Sequence, residues 1–261
     1  MSAVLAAPAT VRPVSALERH GITHLSASSL NLYAAEPALW VMQKLLKRSG
    51  PVGCAAHRGS AAEAGIVHGL LNPDADISEC QSLALKEFDR LTLMSGDPRK
   101  LKEREAVPGI VAHAVPELRQ YGIPDEVQKA VSIELPDVPV PIIGYLDVAW
   151  GSHAITMDIK TQLRLSSQIS ASHARQVGVY AHETNREARV AYCTPQRIGV
   201  YRCDDPASAL ETLRQIALRL NRFLSLSDDR ETLAGVVVPD VERFYYSDPT
   251  TRALARETFG I

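Results

Sequence analysis

"GYLDVAWGSHAITMDIKTQ", residues 144–162, is the stretch on which the fold turns. Two runs of apolar and β-branched residues flank "WGSH", the pattern of two strands joined by a turn. Inside those runs stand Asp147, Asp158 and Lys160, although charged side chains are rarely buried unless they are paired or hold an ion. Residues two apart on a strand share a face, so Asp158 and Lys160 point together while Met157 and Ile159 enter the core. A hairpin turning at "WGSH" brings Asp147 alongside Asp158. Two converging carboxylates repel unless a proton or cation lies between them, and hard divalent ions use such oxygen sites. Taken alone, an Asp-x-Lys on an exposed strand face is ordinary solvated charge.

Outward from this hairpin, "VSIELPD" and "PIIGYLDVAW" precede "AITMDIKTQ" as a meander of strands. "SQISASHARQVGVYAHETN" reads as helix, "EARVAYCTP" and "RIGVYRCD" as two more strands, and "PASALETLRQIALRLNRFLSL" as an amphipathic helix. Upstream, "SASSLNLYAAEPALWVMQKLLKRSG" begins with capping serines and gives two helical pieces joined at Pro37 and ended by Gly50. Further helices are expected over about Ser60 to Leu71 and over "SECQSLALKEFDRLTLMSG". The order is helix, strand, strand, strand, helix, strand, strand, helix. A single α/β domain over residues 23–261, with a helical N-terminal addition and a flexible arm over residues 1–22, is the expected organisation.

Composition is that of a soluble globular protein: 261 residues, 46% hydrophobic and 22% charged. A net charge of -2 gives no global attraction to polyanions or anionic membranes, so a nucleic-acid partner requires a local basic surface. Cys54, Cys80, Cys193 and Cys203 are scattered, without zinc-ligand spacing, and read as reduced thiols of a cytoplasmic protein. The N-terminus lacks the basic lead of a secretory signal, and no segment is long and apolar enough for a membrane helix.

Two more features join the hairpin. "RQVGVYA" sets Gln176 and Tyr180 on one helix face, and "RGSAAEAGI" places Glu63 one turn after Gly59. The set Gly59-x-x-x-Glu63, "GYLD" with Asp147, "MDIK" with Asp158-x-Lys160, and Gln176-x-x-x-Tyr180 resembles the PD-(D/E)XK nuclease superfamily, in its RecB-like exonuclease branch. The opening "LSASSLNLYAAEPALW" is also similar to that branch, and the likeness runs from about Leu25 to Tyr180.

The resemblance implies a restriction-endonuclease-like core with a central mixed β-sheet flanked by helices. It implies a DNA exonuclease dependent on magnesium or manganese, acting in recombination, repair or phage DNA processing. Asp147, Asp158 and Glu63 become metal ligands, with the Ile159 carbonyl as another, and Lys160 the catalytic lysine. Gln176 and Tyr180 belong to the motif that contacts DNA. His68 is the alternative helix ligand; Glu63 is favoured because its offset from Gly59 fits the family. The cysteines lack the late group of three that holds an iron–sulfur cluster in some relatives, so none is expected. Likeness to phage recombination exonucleases of the lambda type implies a homo-oligomer and a single-strand annealing partner. With no P-loop in the chain, any helicase is a separate protein.

Arg58, Arg164 and Arg175 flank the site residues and suit phosphate or DNA contacts. His113, His153 and His173 read as ordinary surface or core histidines, and Tyr33 and Trp40 as core. "FYYSDPTTRALARETFGI" reads as a packed strand and helix, or a subunit contact. A nuclease-fold module that binds DNA or protein without cutting, and a nuclease acting on RNA, are the alternatives to the exonuclease.

Overall fold

The computed structural model describes residues 13–261 and shows an α/β architecture: a mixed, six-stranded sheet with helices on both faces. The expected arm over residues 1–22 divides there, because residues 1–12 lie outside the described part and the remainder is ordered. Ser15 caps the short helix α1 (Ala16–Arg19) and Leu17 is fully buried, so this stretch belongs to the core.

The strands are β1 (Leu25–Ser26), β2 (Glu126–Ile133), β3 (Ile142–Trp150), β4 (Ile155–Thr161), β5 (Glu187–Cys193) and β6 (Ile198–Arg202). β3 is the organising strand. β2 runs antiparallel along one edge of β3 from Ile142 to Ala149. The other edge is shared: β1 pairs in parallel with Ile142 and Ile143, while β4 pairs antiparallel only with Val148, Ala149 and Trp150. β5 then joins β4 in parallel, and β6 joins β5 antiparallel. The middle of β3, Gly144 to Asp147, is therefore left without a ladder partner on that edge, and the sheet forks.

Helices follow from the apolar faces that must be covered. α4 (Cys54–Leu71), α5 (Ile77–Leu91) and α6 (Lys100–Arg119) pack on one face against Val148, Trp150, Met157 and Ile159. α1, α2 (Ala27–Ala35), α7 (Ala171–Thr184) and α8 (Pro206–Leu224) cover the other, against Ala149, Val190 and Tyr192. Each fully buried large apolar side chain stabilises the fold by about 1.5–3 kcal/mol. α4 and its neighbours approach closely because α4 carries glycines at the contacts: a Cβ on Gly65 would lie 2.6 Å from the Cys80 carbonyl oxygen.

The chain breaks after α2 at Pro37, as expected, and continues as α3 (Pro37–Trp40) and a π-helical turn (Val41–Leu45). α4 begins earlier than about Ser60 because the Cys54 N–H is capped by Asp97, whose carboxylate accepts it at 2.9 Å from a distant loop. The C-terminal stretch holds no strand: Phe244–Tyr246 is a 3-10 turn, followed by helix α10 (Pro249–Phe259). Among the described residues no helix is long and apolar enough to cross a membrane.

Candidate active site at the fork of the sheet

Beyond the Val148–Met157 pair the strands part, and Asp147 stands in the opening one step past the last ladder contact. Its Oδ2 accepts the Ile159 N–H at 2.6 Å, taking the bond that a backbone carbonyl would otherwise make. Since the N–H and C=O of a strand residue point to the same side, the Ile159 carbonyl faces this gap as well. The expected hairpin and the adjacency of Asp147 and Asp158 are thus present.

Asp158 is fully buried on the α7 side of the sheet. The Lys160 ammonium lies 2.7 Å from its Oδ2 and donates to Oδ1 at 3.0 Å. Gln176, from α7, donates through one amide nitrogen to Asp158 Oδ1 at 2.9 Å and to the Tyr180 hydroxyl at 2.8 Å. Asp158 Oδ2 receives no hydrogen bond of proper geometry, only the ammonium set against it. Tyr180 in turn donates to the Tyr145 carbonyl in the unpaired stretch of β3. Fork, ion pair and helix form one connected network.

Glu63, on α4, opens to the same cleft of about 500 Å³, whose walls include Asp147, Gln128, Gln176, Tyr180, Lys44 and Lys47. The Gln128 amide nitrogen donates to Glu63 Oε1 and lies 3.5 Å from Asp147 Oδ1, so one neutral donor touches both carboxylates.

The electrostatics follow from this crowding. Burial first, then the charges of Asp158 and Glu63, push the Asp147 carboxyl well above the usual carboxylate range. Burial and Asp158 raise Glu63, and burial raises Asp158 against the pull of Lys160. Burial alone would lower Lys160, but Asp158, Asp147 and Glu63 outweigh it and hold the ammonium charged. Burial and the nearby Lys160 push His173 down to about 4, so its ring is neutral where it meets the Tyr192 hydroxyl at 2.7 Å.

The oxygen-rich donor set suits a hard divalent cation. Among the described residues, however, no three His, Cys, Asp or Glu side chains lie close enough to form a ready-made metal site. The reason is visible: the Gln128 amide stands between Glu63 and Asp147, and the Lys160 ammonium is drawn onto Asp158. Positive or donor groups fill the places where a cation would relieve the repulsion.

No family model matches the chain, and no curated protein matches it. A solved structure, that of SSO0001, is similar at a TM-score of 0.35 and 15% identity, covering 62% of this chain and 84% of that one. A likeness so slight bears on neither fold nor function.

Several sequence expectations need correction. Arg58 is no DNA contact: it is buried, paired with Glu103, and holds the end of β4 by donating to the Thr161 carbonyl at 3.2 Å. Tyr180 is largely buried, its hydroxyl accepting from Gln176 and donating to the Tyr145 carbonyl, so it braces the fork while forming part of the cleft wall. Arg175 is tied to Asn31 at 2.6 Å. Arg164 remains exposed in the loop after β4. His68 turns away to Glu79, 3.1 Å distant, which leaves Glu63 as the helix residue at the cleft. Sequence reasoning missed Gln128 and the nearness of His173, since both depend on contacts between distant strands and helices. All four cysteines are free and buried, and burial pushes the Cys193 thiol up to about 12.

Proposed function

We propose that this chain is a metal-dependent deoxyribonuclease with a restriction-endonuclease-like core, of the RecB-like exonuclease branch of the PD-(D/E)XK superfamily. One observation carries the reading: Asp147, the Asp158–Lys160 pair and Gln176 meet at the fork of the sheet, with Glu63 in the same cleft. That is the set the sequence motifs name.

In this reading Glu63, Asp147, Asp158 and the Ile159 carbonyl hold magnesium or manganese. The bound ion supplies Lewis acidity toward a phosphate oxygen and an acidified water. The remaining work belongs to the side chains. Lys160, kept charged by its carboxylate neighbours, orients the attacking water and offsets the charge that develops on phosphate. Gln176 fixes the Asp158 carboxylate, and Tyr180 keeps the middle of β3 clear of a strand partner. Exposed Arg164, with Lys44 and Lys47 at the cleft wall, neutralises backbone phosphates. A separate helicase, a single-strand annealing protein and a homo-oligomer are the partners that fit this activity, and the cytoplasm its compartment.

A second reading, a nuclease-fold module that binds nucleic acid without cutting, draws on the complete burial of Asp158 under Lys160 and Gln176. One assay separates them. End-labelled linear duplex, closed circular duplex and RNA of the same sequence are incubated with the wild type and Lys160→Ala in magnesium, manganese or EDTA. We expect ion-dependent loss of linear duplex, slowed about 100-fold or more in Lys160→Ala. Retained circular dichroism in the variant confirms that the fold survives. Binding without cleavage in any ion supports the module, preference for RNA reassigns the substrate, and equal activity in Lys160→Ala removes the catalytic assignment.

A further inference from the structure

Gln128 is anomalous in both backbone and side chain. It lies within β2, directly opposite Asp147 by register, yet it is skipped between the Val127–Val148 and Lys129–Leu146 pairs. Its φ of 49° is in the left-handed region, where a non-glycine residue inside a strand is rare. The neighbouring pairs keep their register, so no residue is inserted; the chain twists at this one position. The twist accompanies an amide that reaches across the cleft to Glu63 on α4 while lying 3.5 Å from Asp147.

The Gln128 amide turns its NH2 end to both carboxylates, and an N–H aimed at a cation is repelled by it. A divalent ion shared by Glu63 and Asp147 therefore cannot coexist with the amide where it stands. We propose that Gln128 is a built-in competitor for the cation position: its amide occupies the space between Glu63 and Asp147, and must withdraw before an ion binds. The proposal rests on the metal-centred reading given above. It assigns to this chain a residue that sets the cation concentration at which the site loads, distinct from the groups that hold the ion.

Loading breaks the amide's hydrogen bonds to charged oxygens, which weakens the ion's apparent affinity. Manganese is titrated calorimetrically into the wild type, Gln128→Ala and Gln128→Asn at fixed pH, without substrate. Gln128→Asn keeps a residue tolerant of the left-handed backbone but shortens the reach by one methylene. We expect Gln128→Ala to bind manganese about tenfold more tightly than the wild type. Gln128→Asn follows the same direction and decides the matter if the alanine variant does not fold. A residue that merely supports the fold leaves affinity unchanged or weaker, so either result beside a binding wild type overturns this proposal alone. No binding by any of the proteins overturns the metal-centred reading with it. Binding by the variants but not the wild type supports the competitor.

Discussion

Asp147→Asn should raise the stability of the metal-free protein. Asp147 and Glu63 touch the same amide nitrogen, at 3.5 Å on the Asp147 side, so their oxygens lie roughly 6 Å apart given an ordinary hydrogen bond of about 2.9 Å on the other. At an effective dielectric constant of about 20, two charges at that separation repel by about 3 kcal/mol. Burial and its acidic neighbours raise the Asp147 pKa, which offsets part of this repulsion, so the recoverable gain is about 1–3 kcal/mol. Asparagine removes the charge and keeps an oxygen for the Ile159 N–H, while its NH2 comes to face the Gln128 amide nitrogen, so that amide must turn to relieve two facing donors. At about 2 °C per kcal/mol for a chain of this size, thermal unfolding in EDTA at pH 8 should shift upward by roughly 2–6 °C. With divalent ion in roughly 1,000-fold excess over its Kd the order reverses, since only the wild type gains the approximately 4.1 kcal/mol of linkage. A variant that melts at or below the wild type in EDTA refutes the crowding of charge on which the site depends.

Arg58→Ala leaves Glu103 buried without its partner and should cost about 3–5 kcal/mol in chemical denaturation; a loss under about 1 kcal/mol contradicts the structural role given to this pair. Gly65→Ala drives a methyl onto the Cys80 carbonyl and should destabilise by about 1–3 kcal/mol, whereas an unchanged midpoint means that α4 and α5 are not in such close contact. His173 binds its proton less well folded than unfolded, so its contribution to stability is complete above its unfolded pKa of about 6.5 and declines as pH falls toward about 4. The raised carboxylates slope the other way, gaining stability on acidification. Subtracting the pH profile of His173→Gln from that of the wild type isolates the histidine component; a flat difference between pH 4 and 6.5 disproves its neutral burial.

What the sequence displayed was local: alternation on β3 and β4, a turn at "WGSH", and the offsets that put Glu63, Asp147 and Gln176 on one cleft with the Asp158–Lys160 pair joined to it through Gln176. What it hid was held by distant partners. Arg58 looks like a phosphate ligand until Glu103, on another helix, is seen against it. The start of α4 was obscured because its cap, Asp97, comes from a loop beyond the next helix. α6 carries Pro108 and Pro116 in its interior, a pattern that argues against a helix; burial of Val107, Ile110, Val111, Ala114 and Val115 against its neighbours overrides the local penalty. Gln128 gave no sign at all, because a left-handed residue in a strand is imposed by its surroundings and leaves no mark in composition or period.

Anomalous diffraction from manganese-soaked crystals tests the heart of the matter most directly. We expect a peak between Glu63, Asp147 and Asp158 with the Gln128 amide turned out of the cleft. A fully soaked crystal with manganese only at other sites, and the Gln128 bridge intact, would contradict it.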